Sequence, residues 1–163
     1  MPHEMTIIEA DLDQPEHQEA VVTLVDAYAQ DPMGQGRPLD PQVKRDLVPG
    51  LQDLPTTIIF LAYHDQQPAG IAVCFKAFST FNARPLINIH DLAVLPDYRG
   101  EGIARQLLAA VEHKAHALSC CKITLEVQEN NRRARKVYAA AGFMQAEYVP
   151  DAGLSLFLVK NID

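Results

Sequence analysis

Between Leu86 and Gln128 the hydrophobic pattern changes its period twice, and this limits the fold more than any other feature of the chain. Leu86–Leu95 reads as a strand. From Gly100 to Leu118 the apolar residues Ile103, Leu107, Leu108, Val111, Ala115 and Leu118 recur at helical spacing on one side. Lys122–Gln128 then alternates strictly, with Ile123, Leu125 and Val127 on one face and Thr124, Glu126 and Gln128 on the other. A strand–helix–strand run of this kind makes its two strands parallel, since a crossover is the way two parallel neighbours are joined.

The rest of the chain adds antiparallel pieces. Met5–Ile8 is a short first strand. Pro15–Gln30 carries Val21, Leu24, Val25 and Tyr28 at helical spacing. Asp31–Asp40, rich in Pro, Gly and Asp, is a loop. Asp40 followed by Pro41 predicts an N-cap and a first helical residue, and Pro49-Gly50 predicts that this second helix kinks or stops there. Thr57–Tyr63 and Ala69–Phe78 are apolar strands joined by a short turn, so they form a hairpin buried on both faces. A last helix is expected over Asn131–Ala141, and final strands over Phe143–Val149 and Leu154–Val159. No repeat, low-complexity tract or linker divides the chain, which reads as one mixed α/β domain.

Three cysteines, Cys74, Cys120 and Cys121, make no even disulfide framework, and no His/Cys cluster has zinc spacing. No metal is expected, and the cysteines read as small core groups. A net charge of -7 disfavours nucleic acid and suits a cationic substrate. Met1–Ala10 is acidic and unlike a signal peptide, and no stretch is apolar enough to span a membrane. The expectation is a cytoplasmic protein.

The chemistry concentrates in Asp91–Leu108, where a strand runs through a turn into a helix. Small residues at Gly100, Gly102 and Ala104 let the unpaired amides of a helix start approach an anion, helped by the helix dipole. This suits a pyrophosphate. A P-loop would need Gly-Lys-Ser/Thr, which is absent, and a dinucleotide fingerprint would need glycine at Arg105.

Arg99-Gly-Glu-Gly102-Ile-Ala104 resembles the pyrophosphate loop of the GNAT superfamily, Gln/Arg-x-x-Gly-x-Gly/Ala. Asp91-Leu-Ala-Val94 resembles the strand that leads into it. Leu125-Glu-Val127, Asn131-x-x-Ala134-x-x-Val137-Tyr138 and Gly142-Phe143 resemble the second signature. The likeness covers Asp91–Phe143. It implies the GNAT, or acyl-CoA N-acyltransferase, fold: a central mixed sheet with helices on both faces, filling residues 1–163 as a single domain. It also implies acetyl-CoA as co-substrate, and a homodimer through C-terminal strands is compatible with it.

By this resemblance the Leu86–Leu95 strand carries a bulge and splays from its parallel neighbour, and pantetheine lies in the gap against the backbone of Leu92, Ala93 and Val94. The amides of Arg99, Gly100, Glu101, Gly102, Ile103 and Ala104 hold the pyrophosphate. Asn131 and Ala134 face the pantetheine arm, and Arg132, Arg133, Arg135 and Lys136 read first as a solvated basic helix face, with help in holding the adenosine phosphates as the alternative. Tyr138 is the candidate acid beside the sulfur, since a phenol can protonate a thiolate of comparable basicity. A fixed amide near Leu92 would polarise the thioester carbonyl.

An attacking amine must also lose a proton. Strand alternation puts Asn88 and His90 with Leu92, and Asp91 with Ile87, Ile89 and Ala93. His90 is the first candidate base, because similar enzymes carry a glutamate there and imidazole titrates near neutrality. Glu126, on the polar face of the next strand, is another. Asp91 reads as a carboxylate needing a partner, either structural or substrate-orienting. Asp26, Asp31, Asp40 and Asp46 roof the acceptor side, with Asp31–Asp40 as a candidate lid. The expected function is N-acetyl transfer to a primary amine of a small molecule or peptide. The alternative is an acyl-CoA-binding regulatory module with little turnover, since sites are grafted onto folds.

Overall fold

The computed structural model describes residues 3–146 and 149–162. Its elements run β1 (Met5–Glu9), α1 (Pro15–Gln30), α2 (Pro41–Asp53), β2 (Thr57–His64), β3 (Gln67–Ser79), β4 (Arg84–Val94), α3 (Ile103–Ala117), β5 (Ile123–Leu125) and α4 (Arg132–Ala140). Among the described residues the sheet follows chain order, β1-β2-β3-β4-β5. The first four strands are antiparallel, and β5 is parallel to β4 across the α3 crossover. β2 and β3 meet at a two-residue turn in which Asp65 and Gln66 both have positive φ, 48° and 67°, the backbone that matches the twist of a hairpin.

The continuous apolarity of β2 and β3 fills two cores. On one face Phe60, Ala72, Cys74, Ile87 and Ile89 pack with Ile103, Leu107 and Val111 of α3. On the other Ile59, Leu61, Ile71 and Val73 pack with Val21 and Leu24 of α1 and Val48 and Leu51 of α2. Gly70 fixes how closely α3 approaches. A Cβ there would lie 3.1 Å from the Ala93 carbonyl oxygen, 3.1 Å from Ile103 Cγ2 and 3.3 Å from Leu107 Cδ1.

One irregularity reorganises β4. Val73 pairs with Asp91 but Cys74 pairs with Ile89, so His90 is the extra residue of a β-bulge. The bulge inverts side-chain parity. Ile87 and Ile89 face α3 before it, and Leu92 and Val94 face α3 after it. Asp91, cross-strand from Val73 and two residues before Ala93, lies on the α1–α2 face with Asn88, whose partner is Phe75. The grouping of Asn88 and His90 with Leu92, and of Asp91 with Ile87 and Ile89, is therefore corrected, because simple alternation cannot register an inserted residue.

Three further expectations are corrected. α2 runs through Pro49. Pro49 lies on the exposed side of the helix, where water can satisfy the carbonyl left without its N–H donor, while Val48 and Leu51 stay buried. Asp40 and Pro41 hold the expected N-cap and first helical positions, Asp40 without a side-chain capping bond. β5 stops at Leu125, so Glu126 to Gln128 lie beyond the ladder. Leu154–Val159 forms no strand, and neither does the described part of Phe143–Val149; residues 147 and 148 of that segment lie outside the described residues. Leu156 and Phe157 are 81% and 73% exposed, for a strand without a neighbour has no ladder to join. Among the described residues no helix is long and apolar enough to cross a membrane.

Candidate active site

The turn after β4 contains a 3-10 segment, Pro96–Tyr98, then Arg99, Gly100, Glu101 and Gly102, which caps α3. Gly100 and Gly102 have φ of 86° and 81°, the left-handed region that glycine enters without a Cβ penalty. A Cβ on Gly100 would meet nothing within 4 Å, and one on Gly102 only the Arg105 guanidinium at 3.9 Å. Around these two glycines the space is open apart from that guanidinium. The intrahelical ladder begins with Gln106 N–H donating to the Gly102 carbonyl at 3.1 Å, so the amides of Ile103, Ala104 and Arg105 precede it. The loop is braced from both sides. Arg99 donates through Nε to the Val94 carbonyl at 3.0 Å and through a terminal nitrogen to Asp31 at 2.7 Å, and Glu101 lies 3.2 Å from His64 Nε2.

β4 and β5 pair only at Ile87–Ile123, Asn88–Thr124 and Ile89–Leu125. Beyond these rungs β5 ends while β4 continues through Leu92, Ala93 and Val94, whose edge on that side has no ladder partner among the described residues. Asn88 clamps the last rungs, its amide donating to Thr124 Oγ1 at 3.0 Å and to the Thr124 carbonyl at 3.4 Å. Asn88 is thus engaged with β5. An open helix mouth at the end of a strand with a freed edge is the cradle a nucleotide diphosphate with a long amide-bearing arm requires.

On the α1 side the bulge places Asp91 near Tyr28. Burial pushes the Asp91 carboxyl above the ordinary carboxylate range, with His90 acting in the opposite direction. Burial also raises the Tyr28 phenol, followed by the charges of Asp91 and Asp31. Asp91 has no hydrogen-bond partner among the described residues. His90 is exposed, its ring edge-on to Phe75 at a centroid distance of 5.7 Å. Cys74, behind Asp91, is pushed up to about 12, first by burial and then by Asp91, which keeps it an inert thiol.

Tyr138 stands edge-on to Phe143, ring centroids 6.0 Å apart, and is partly buried against the α3 core. Its phenol is pushed up to about 12 by burial, with Tyr28 adding to the shift. Tyr28, Asp91 and Tyr138 thus share one electrostatic neighbourhood. Sequence reasoning missed Tyr28, which reads as one member of an apolar stripe; its place just before a Pro/Gly-rich loop is the signal that could have found it.

Other candidates have different occupations. Asn131 is the N-cap of α4, its side-chain oxygen accepting the Ala134 N–H at 3.2 Å. Glu126 is exposed one residue past β5. Arg132, Arg133, Arg135 and Lys136 are exposed on α4, and Arg135 donates to the Glu129 carbonyl. Of the four acids over the acceptor side, Asp26 binds Lys44 at 2.9 Å and the Leu39 N–H at 2.8 Å. Asp31 receives the Met33 N–H and Arg99, which together hold its carboxyl below the ordinary range. These two fasten the 31–40 loop, while Asp40 and Asp46 are exposed.

Known proteins resemble this chain in sequence and fold. The model of the acetyltransferase (GNAT) family matches residues 21–143. The uncharacterized N-acetyltransferase YycN of Bacillus subtilis is 38% identical over 61 residues, 37% of this chain and 39% of that protein. An aminoglycoside N(6')-acetyltransferase type 1 of Salmonella typhimurium is 31% identical over 68 residues, 42% of this chain and 47% of that protein. The matched segment thus spans less than half the length of either relative. Among solved structures, the aminoglycoside N-acetyltransferase AAC(6')-Iy in complex with CoA superposes with a TM-score of 0.76 at 23% identity, covering 98% of this chain and 97% of that one. At that identity the likeness speaks for the fold.

Proposed function

This chain belongs to the acetyltransferase (GNAT) family, and from that premise we propose that, as one domain, it transfers the acetyl group of acetyl-CoA to a primary amine by direct attack in a ternary complex. The observation that carries the reading is the parting of β4 from β5 after Ile89, beside a helix mouth that Gly100 and Gly102 leave open. The similarity to a protein solved with CoA supports it. Acetyl-CoA supplies an activated thioester. The chain's part is to hold it, through the amides of Arg99 to Ala104 and the free edge of Leu92, Ala93 and Val94, with Asn131 and Ala134 at the start of α4 flanking the arm.

The acceptor enters from the α1 side. Asp91, half-buried and without a hydrogen-bonding partner among the described residues, is suited to receive a cationic amine between Tyr28 and the bulge, since a partly desolvated carboxylate gains from an opposite charge. His90, exposed on the bulge next to Asp91, takes the proton the ammonium must lose, directly or through water. Glu126 stands past the strand end and is the weaker base candidate. Nitrogen attacks the carbonyl carbon, the carbon–sulfur bond breaks, and the net reaction releases one proton, the free thiol and the amide.

Tyr138 is the donor to the departing sulfur. Its phenol, pushed up to about 12, lies far above a thiol of about 8.5, so complete transfer of its proton is uphill by roughly 5 kcal/mol. Tyr138 therefore steadies the thiolate by a hydrogen bond, and the proton that ends on sulfur comes from solvent or from the acceptor nitrogen.

The acceptor class is a small-molecule or peptide amine, in keeping with an aminoglycoside acetyltransferase among the relatives and a net charge of -7. The test is acetyl-CoA consumption with a panel of aminoglycosides, polyamines, lysine analogues and peptide amines, read as released thiol. Amine-dependent release supports the enzyme. Tight acetyl-CoA binding without release from any acceptor supports a regulatory binding module instead, and no binding at all removes both readings.

A further inference from the structure

Two histidines far apart in sequence meet at the corner where β1, the β2–β3 turn and the α3 loop converge. β1 pairs with β2 so that Met5 faces His64. Asp65 locks the residues just before β1: its N–H donates to the Glu4 carbonyl at 2.9 Å and its Oδ1 accepts the Glu4 N–H at 2.8 Å. That register brings the His3 ring onto His64, centroids 4.8 Å apart. His3 Nδ1 lies 2.5 Å and His64 Nδ1 3.6 Å from Asp65 Oδ2. One ligand atom from each of the three residues falls within 4.8 Å of the others.

A fourth group gives the cluster a chemical direction. His64 Nε2 is 3.2 Å from Glu101 Oε2, so a second carboxylate stands on the side of the ring away from Asp65. A carboxylate within reach of the far ring nitrogen is the usual outer support of a metal-binding histidine. Asp65 is oriented likewise, with Oδ1 held by the backbone and Oδ2 turned to the two rings. The turn explains Asp65, whose φ of 48° an Asp tolerates; it does not explain two imidazoles facing its free oxygen.

We infer that His3, His64 and Asp65 bind one divalent first-row transition ion of the zinc type, with Glu101 as a positioning residue and solvent completing the coordination. Two nitrogens and one carboxylate oxygen suit Zn²⁺, Co²⁺, Ni²⁺ or Cu²⁺, and a site half made of imidazole is a poor one for Mg²⁺ or Ca²⁺. Tetrahedral bonds of about 2.0–2.1 Å set ligand atoms roughly 3.3 Å apart. The His64–Asp65 separation is already close to that. The His3–Asp65 separation widens when the ion replaces the proton they share, a small rotation for the exposed His3 side chain. Metal binding is read without acetyl-CoA or acceptor, so this site is tested apart from acetyl transfer even though Glu101 also belongs to the loop proposed to hold the pyrophosphate.

The test uses untagged full-length protein stripped of metal by a chelator. Titration with Co²⁺, followed by its visible d–d absorption, and with Zn²⁺ by calorimetry should give one ion per chain with a dissociation constant of about 10 μM or tighter. His3→Ala and Asp65→Asn, both at exposed side chains, should each weaken binding at least about tenfold, and Glu101→Gln by about 10–100-fold with the absorption band retained. His116→Ala, on exposed α3 surface, should change nothing. Absence of one-to-one binding by either ion, or binding left intact by both His3→Ala and Asp65→Asn, overturns the site. These two variants leave the β2 core untouched, so the site is tested whether or not a His64 variant folds.

Discussion

Replacing Tyr138 by Phe deletes one oxygen and little else. The ring keeps its edge-on contact with Phe143, and the phenol has no hydrogen-bond partner among the described residues, so the variant should fold with its stability nearly unchanged. What disappears is a donor aimed at developing negative charge. A hydrogen bond to a charged group contributes about 1.5–3 kcal/mol, which converts to a loss of about 10–150-fold in kcat. Thiol release at saturating acetyl-CoA and acceptor measures kcat, and calorimetry with acetyl-CoA measures binding, which should stay within error of the wild type. The pH dependence is equally specific. A phenol held up to about 12 stays protonated through the accessible alkaline range. Wild type and variant should therefore give pH–rate profiles of the same shape at different heights. An unchanged kcat, an equal loss of acetyl-CoA affinity, or an alkaline limb near pH ~9 that vanishes in the variant would each refute the donor role.

Asp91→Asn should raise KM for a cationic acceptor about tenfold or more while leaving acetyl-CoA affinity alone. Because the folded-state pKa of Asp91 is raised, ionisation costs the native protein stability as pH climbs above the ordinary carboxylate value. The variant should thus melt higher than wild type at pH 8 and equally at pH 3.5, and identical melting at both values would contradict the burial argument. Gly70→Ala inserts a methyl between Ala93, Ile103 and Leu107; overpacking of about 1–3 kcal/mol lowers Tm by about 2–12 °C, and an unchanged Tm would show that α3 has room. A double-mutant cycle with Arg99→Ala and Asp31→Asn, read by denaturant unfolding, should give a coupling above about 0.5 kcal/mol, whereas simple additivity would mean that the 2.7 Å contact holds nothing in place. If the exposed apolar segment 154–162 is covered by pairing with a second copy, light scattering should report a dimer that deletion of these residues turns into a monomer.

From β1 to α4 the order of the elements, and the turn that opens α3, could be read along the chain. Apolar periods of 3.6 and 2 are local properties, so α1 and β2 emerged where their patterns run, and the positive-φ glycines at Gly100 and Gly102 mark a turn that few other residues can make. The lead-in strand and the loop were legible for the same reason, being contiguous in the chain. Tertiary structure alone decided which groups share a space. The bulge at His90 reverses every side chain after it, and a one-residue insertion leaves no trace in alternation, so Asp91 turned toward Tyr28 against expectation. Asn88 and Asn131 were consumed by a strand clamp and a helix cap, and Asp26 and Asp31 by Lys44 and Arg99, because hydrogen-bonding partners distant in sequence are chosen by packing. The C-terminal strands failed because a strand needs a neighbour as well as a pattern. His3, His64 and Asp65 came together because two strands pair in one register, and pairing is a property of the folded sheet that no spacing of residues along the chain records.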